Sequence, residues 1–129
     1  MTRPPGGMTP PSRAALAGRE FDLLTPAHEI CARYRAEFPD EEERYGEAGM
    51  AWCVHDNQHI LNWAVGACNG MVDLEGELSW LARVLAARDF LVERLARDLE
   101  IAAEVTRERL PELAGKLAGG ADFVRSAAA

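Results

Sequence analysis

The residues best suited to chemistry are His55-Asp-Asn-Gln-His59, two imidazoles four positions apart with a carboxylate beside the first. On a helix of 3.6 residues per turn this spacing sets both rings on one flank, the arrangement with which zinc proteases hold their metal. Here the carboxylate is Asp56, one methylene shorter than the glutamate base of those enzymes. His28 is the only other histidine, and Cys53 projects away from His55 on a continuous helix, so the usual third zinc ligand is not at hand. Asp56-x-x-His59 imitates one carboxylate-x-x-His step of a di-iron bundle, but the second copy is missing. Hemerythrin-like sites need more histidines than the chain has. A haem protein needs only an axial histidine and an apolar pocket, yet no residue argues specifically for haem. His55 and His59 therefore stand as possible ligands, and a small haem- or metal-binding helical protein using them is the alternative reading, while no metal or cofactor is expected on this chain by itself.

Other catalytic signatures are absent from the sequence. Ser12, Ser79 and Ser126 lack the glycines of a nucleophile elbow, and Gly6-Gly7 and Gly119-Gly120 match neither Walker nor dinucleotide spacing. The chain reads as non-enzymatic.

The element that must position the histidines is a helical stretch from Met50 to Cys68 with two stripes. Met50, Val54, Leu61, Val65 and Cys68 line one face, and Trp52, Asp56, His59 and Trp63 line the opposite one. Packing alone could use both tryptophans and the histidine. Asp56 argues for something wetter, because a buried carboxylate without a partner is expensive. A groove, a subunit interface or an ion pair with Arg83 or Arg97 would relieve that cost. The Trp52, Asp56, His59, Trp63 face is the candidate interaction surface.

Around this helix the periodicity predicts an all-α fold, a single antiparallel bundle of four to five helices joined by short connections. Residues 1–11 are rich in Pro and Gly and are expected to be disordered. The bundle is expected over residues 12–118 and a flexible tail over 119–129, with Gly119-Gly120 stopping the last helix. A short helix is predicted from Ser12 to Leu24, weakened by Gly18. Thr25 is read as a cap, with Pro26 at the first helical position; Ile30, Tyr34 and Phe38 follow, and Pro39 ends that helix. Asp40 opens the next, Gly46 and Gly49 kink or delay it, and Gly70 closes it. Leu74, Leu78, Leu81 and Leu85 mark a third helix, with Trp80 and Val84 widening its stripe. Leu91, Leu95, Leu99, Ala102 and Val105 mark a fourth, and Pro111 restarts the chain. No alternating pattern predicts a sheet.

A formal charge of -7 removes the electrostatic footprint that nucleic-acid binding requires. No run approaches the roughly 20 apolar residues of a membrane span. Three cysteines without CxxC spacing give no disulfide framework or zinc knuckle, and a reducing cytoplasm is the expected compartment.

Glu43-RYGEAGMAWCVHDNQHILNWAVGA-Ala67 and Leu78-SWLARVLAARDFLVERLARDLEIAAEVTRERLP-Pro111 together resemble the helical-bundle segment that precedes cobalamin-binding domains in some bacterial regulators and photosensory proteins. In that family the patterns His-x-x-x-His-Leu and Trp-Leu-x-x-Val-Leu-x-x-Arg recur in similar order; this chain carries the second at Trp80–Arg88 and has Ile60 where the first has leucine, and the likeness covers about two-thirds of the chain. The resemblance implies a sensory or regulatory bundle that caps a cofactor domain or transmits its state. The chain lacks Asp-x-His-x-x-Gly, the motif that supplies the lower axial ligand of cobalamin, so cobalamin is expected only through a partner domain. The expected partner is a protein or a second copy of the chain. A toxin–antitoxin or anti-sigma type of partner protein shares the same small, acidic, helical character.

Overall fold

Among the described residues the helical periodicity is realised in five helices, α1 (Leu24–Glu37), α2 (Asp40–Cys68), α3 (Leu74–Ala86), α4 (Val92–Thr106) and α5 (Pro111–Ala128), so this part of the fold is all-α apart from one hairpin. The computed structural model describes residues 9–128. The expectation of disorder over residues 1–11 falls mostly on residues 1–8, outside the described part. The chain forms two compact units, Met1–Asn62 and Trp63–Ala129, and α2 runs from one into the other.

The first unit opens with a correction. The helix predicted from Ser12 to Leu24 does not form; β1 (Arg13–Leu16) pairs antiparallel with β2 (Arg19–Asp22). Ala17 (φ 55) and Gly18 (φ 78) both take left-handed backbone, which matches the twist of a two-residue hairpin turn. Alternation over four residues was too short a signal to outweigh the alanines. The hairpin is closed by the Leu23 amide donating to the Ser12 carbonyl at 2.8 Å.

Capping of α1 also differs from the expectation. The Asp22 carboxylate accepts the Leu24 amide at 3.0 Å and the Thr25 amide at 3.2 Å, so Asp22 rather than Thr25 satisfies the free donors at the helix start. Hydrogen bonds from the Thr25 side chain and the Leu24 amide hold the Asp22 carboxyl below its ordinary value. Helix α1 buries Ala27, Ile30, Cys31 and Tyr34 and ends at Glu37, just ahead of Pro39 as predicted. In α2 the backbone breaks at Gly46 (φ 63, ψ -157), a region essentially closed to other residues.

The second unit contains the C-terminal end of α2. The Gly70 amide donates to Ala67 at 3.1 Å and the Met71 amide to Gly66 at 2.8 Å, with Gly70 at φ 73, which is the left-handed cap the sequence predicted. Helix α3 buries Leu74, Leu78, Leu81 and Leu85, but Trp80 lies outside that stripe and is 50% exposed. Helix α4 buries Leu95, Leu99 and Ala102, whereas Leu91 precedes the helix and stays exposed. Helices α3, α4 and α5 pack together, α5 most extensively on α4.

The expected tail over 119–129 is likewise corrected, because α5 continues through both glycines to Ala128 and buries Gly120, Ala121 and Val124. Propensity argued for a stop, and packing overrides it. Arg125, near the end of α5, donates to Glu93 at 2.8 Å and to Glu100 at 2.6 Å on α4. The Arg125 hydrogen bond to Glu100, with a smaller one from Arg97, depresses the Glu100 carboxyl.

Two outcomes test this account. A methyl at Gly120 would come within 2.8 Å of Leu78 Cδ1, while one at Gly119 meets nothing within 4 Å. Gly119→Ala should therefore raise stability by up to about 1 kcal/mol, and Gly120→Ala should lower it by about the same amount through overpacking. Urea denaturation distinguishes this from a disordered tail, which would respond to neither change. The second outcome concerns Glu100, whose depressed carboxyl contributes stability present above its ordinary value of 4.5 and lost as pH falls through the lower folded value. Because the pair is about a third exposed, wild type and Glu100→Gln should differ by under about 1 kcal/mol at neutral pH and converge once the pH has fallen through the lowered folded value. A gap persisting in acid would rule out the carboxylate charge as its cause.

Candidate functional site

In the first unit, α2 has a buried seam and a half-buried flank. The seam contains Asn57, Gln58, Ile60 and Leu61, and it meets α1 through a disulfide between Cys31 and Cys53 with Cα atoms 6.0 Å apart. This corrects the expectation of reduced thiols: linear spacing does not show that two helices bring Cys31 and Cys53 face to face. Cys68 stays free, and burial, with Glu112 nearby, pushes its thiol up. The Asn57 side-chain amide donates to the Cys53 carbonyl at 3.0 Å and lies 3.5 Å and 3.6 Å from the sulfurs of Cys53 and Cys31. Sequence reasoning missed Asn57, although an amide on an apolar stripe four residues after a cysteine was a readable signal.

The flank holds the predicted residues. Trp52 meets His55 edge-on with centroids 6.4 Å apart, and His55 meets His59 at 4.7 Å with an interplanar angle of 73°. His55 Nδ1 lies 3.2 Å from Asp56 Oδ1. An ionised carboxylate can only accept, so Nδ1 carries the proton of this contact and the lone pair is left on Nε2. Trp52, His55, Asp56 and His59 thus form one continuous half-buried row.

Trp63, the fourth residue of the predicted face, belongs to the second unit and packs edge-on against Trp80 of α3 with centroids 6.4 Å apart. Asp56 finds its partner in His55, and Arg97, one partner suggested by the sequence, reaches Glu100 and Glu104 at 3.3 Å. Beside the histidine row, a groove of about 480 Å³ is lined by His28, Glu47, Met50, Val54 and His55, among others. Its floor is apolar, and its ionisable groups come from both α1 and α2. Among the described residues no three His, Cys, Asp or Glu side chains gather as a metal cage. No helix among them is long and apolar enough to cross a membrane.

No family model, curated protein or solved structure matches this chain.

The disulfide closes a loop with a sequence separation of 22. By loop-closure entropy, Cys31→Ala should lower stability by about 3 kcal/mol. Cys68→Ala should have a much smaller effect. Peptide mapping without reductant should recover Cys31 linked to Cys53 and Cys68 alkylated; any other pairing would refute the arrangement.

Proposed function

We propose that this chain is a non-enzymatic sensory or regulatory helical module that docks onto a protein partner, with its α2 row and its tryptophan pair as the working surfaces. The observation that carries the reading is Trp80, half exposed and braced edge-on by Trp63. A tryptophan immobilised on one side and open on the other loses little conformational freedom on binding and supplies a large apolar area, the profile of an interface hot spot. Trp52, Asp56 and His59 add a mixed aromatic and polar row of the kind that suits a wet contact.

The resemblance to segments preceding cobalamin-binding domains supports such a domain as the partner, with this chain acting in trans. A second copy of the chain is the other partner this reading admits. The acidic charge supports a protein rather than nucleic acid. We place the activity in the cytoplasm. The Cys31–Cys53 bond argues the other way, since disulfides persist mainly in oxidising compartments, and cell fractionation with thiol trapping decides between them.

Trp80→Ala is the cleanest test, because removing a half-exposed ring should alter binding far more than folding. Sedimentation velocity across a wide concentration range reads self-association, and a titration against a cobalamin-binding domain reads the other partner. Trp80→Ala should weaken whichever association is found by about tenfold or more, with ΔΔG of folding under about 1 kcal/mol. An unchanged dissociation constant, or a wild-type chain that is monomeric and inert in both assays, would overturn the reading.

A further inference from the structure

The rings of His55 and His59 have the spacing of a ligand pair. Zinc-like ions bind imidazole nitrogen at about 2.0–2.1 Å, so two rings on one ion at an angle between 90° and tetrahedral have centroids roughly 4.5–5.2 Å apart. The His55 and His59 centroids are 4.7 Å apart. Edge-to-face stacking alone would hold two rings at a similar distance. The Asp56 contact separates these cases, since stacking has no need of a carboxylate on Nδ1. Metal-binding histidines characteristically donate the second ring N–H to a carboxylate, which fixes the tautomer and raises the basicity of the ligating nitrogen. His55 has that arrangement through Asp56 Oδ1 at 3.2 Å.

We infer that His55 and His59 chelate one divalent transition-metal ion, with Asp56 as the positioning residue for His55. Cys53 takes no part, being bonded to Cys31. With no third protein donor gathered among the described residues, the remaining coordination positions go to water or an added donor, which makes the site exchangeable. His55 also lines the groove of about 480 Å³, so an outside donor has a route to the ion. Imidazole ligands suit copper, nickel and zinc, and Cu²⁺ should bind tightest in the first-row order.

The test uses the full chain, tag-free and with its disulfide intact, and Cu²⁺ as the probe. Isothermal titration should show one saturable site, and electron spin-echo modulation should count two coupled imidazoles. His55→Ala and His59→Ala should each weaken binding at least tenfold, and Asp56→Asn by about 10- to 100-fold. His28→Ala, on α1, should leave the affinity unchanged. Competition by Zn²⁺ at higher concentration should displace the copper. One or no coupled imidazole in the wild-type spectrum, or undiminished binding in both histidine variants, would overturn the inference. If a histidine variant fails to fold by circular dichroism, the wild-type imidazole count decides.

Discussion

The orientation of α2 in the first unit depends on the junction formed by Cys31, Cys53 and Asn57. The bridge fixes which side of α2 faces α1, and the Asn57 amide, almost wholly buried, finds its acceptors there. A buried amide without acceptors would cost about 1–3 kcal/mol, so the polar group and the bridge support one orientation together. Once that side is set, helical geometry places Trp52, His55, Asp56 and His59 away from it. Their half-exposure follows from the position of the seam.

A different balance operates in the second unit. Leu78, Leu99, Leu113 and Leu117 are essentially inaccessible, each contributing about 2 kcal/mol by burial, while the Arg125 pairs with Glu93 and Glu100 are partly exposed and worth less. Burial therefore drives α5 onto α4. The arginine selects register, since its fork must meet carboxylates two turns apart on α4. Gly120 permits the approach at Leu78, which explains why a residue of poor helix propensity sits inside a formed helix.

Much of this fold was legible because α1, α3 and α4 carry apolar repeats longer than two turns, and Gly70 and Pro39 mark real boundaries. What failed did so for local reasons. The hairpin offered only four residues per strand, and its turn contains Ala17 in a conformation that alanine seldom takes. Gly119-Gly120 reads as a stop because propensity knows nothing of Leu78. The row on α2 was visible from spacing, but Trp63 and Trp80 could not be paired without knowing how α3 returns. The disulfide, and the meeting of His28 with Glu47 at the groove, were invisible because each needs the packing of α1 against α2, which linear spacing does not give.

The same row suits both docking and ion binding, and the two uses constrain each other. A chelate with only two protein donors leaves coordination positions open, and a partner that brings a carboxylate, imidazole or thiolate could fill one of them. Binding of that partner would then tighten the metal, and the metal would tighten the partner by the same factor, since coupling between binding events is reciprocal. His55 and His59 supply the shared component through rings held 4.7 Å apart, and Asp56 fixes the nitrogen that faces the ion. A half-buried row of this composition has less to offer a purely structural role, where Leu or Phe would pack more area without the desolvation cost of a carboxylate.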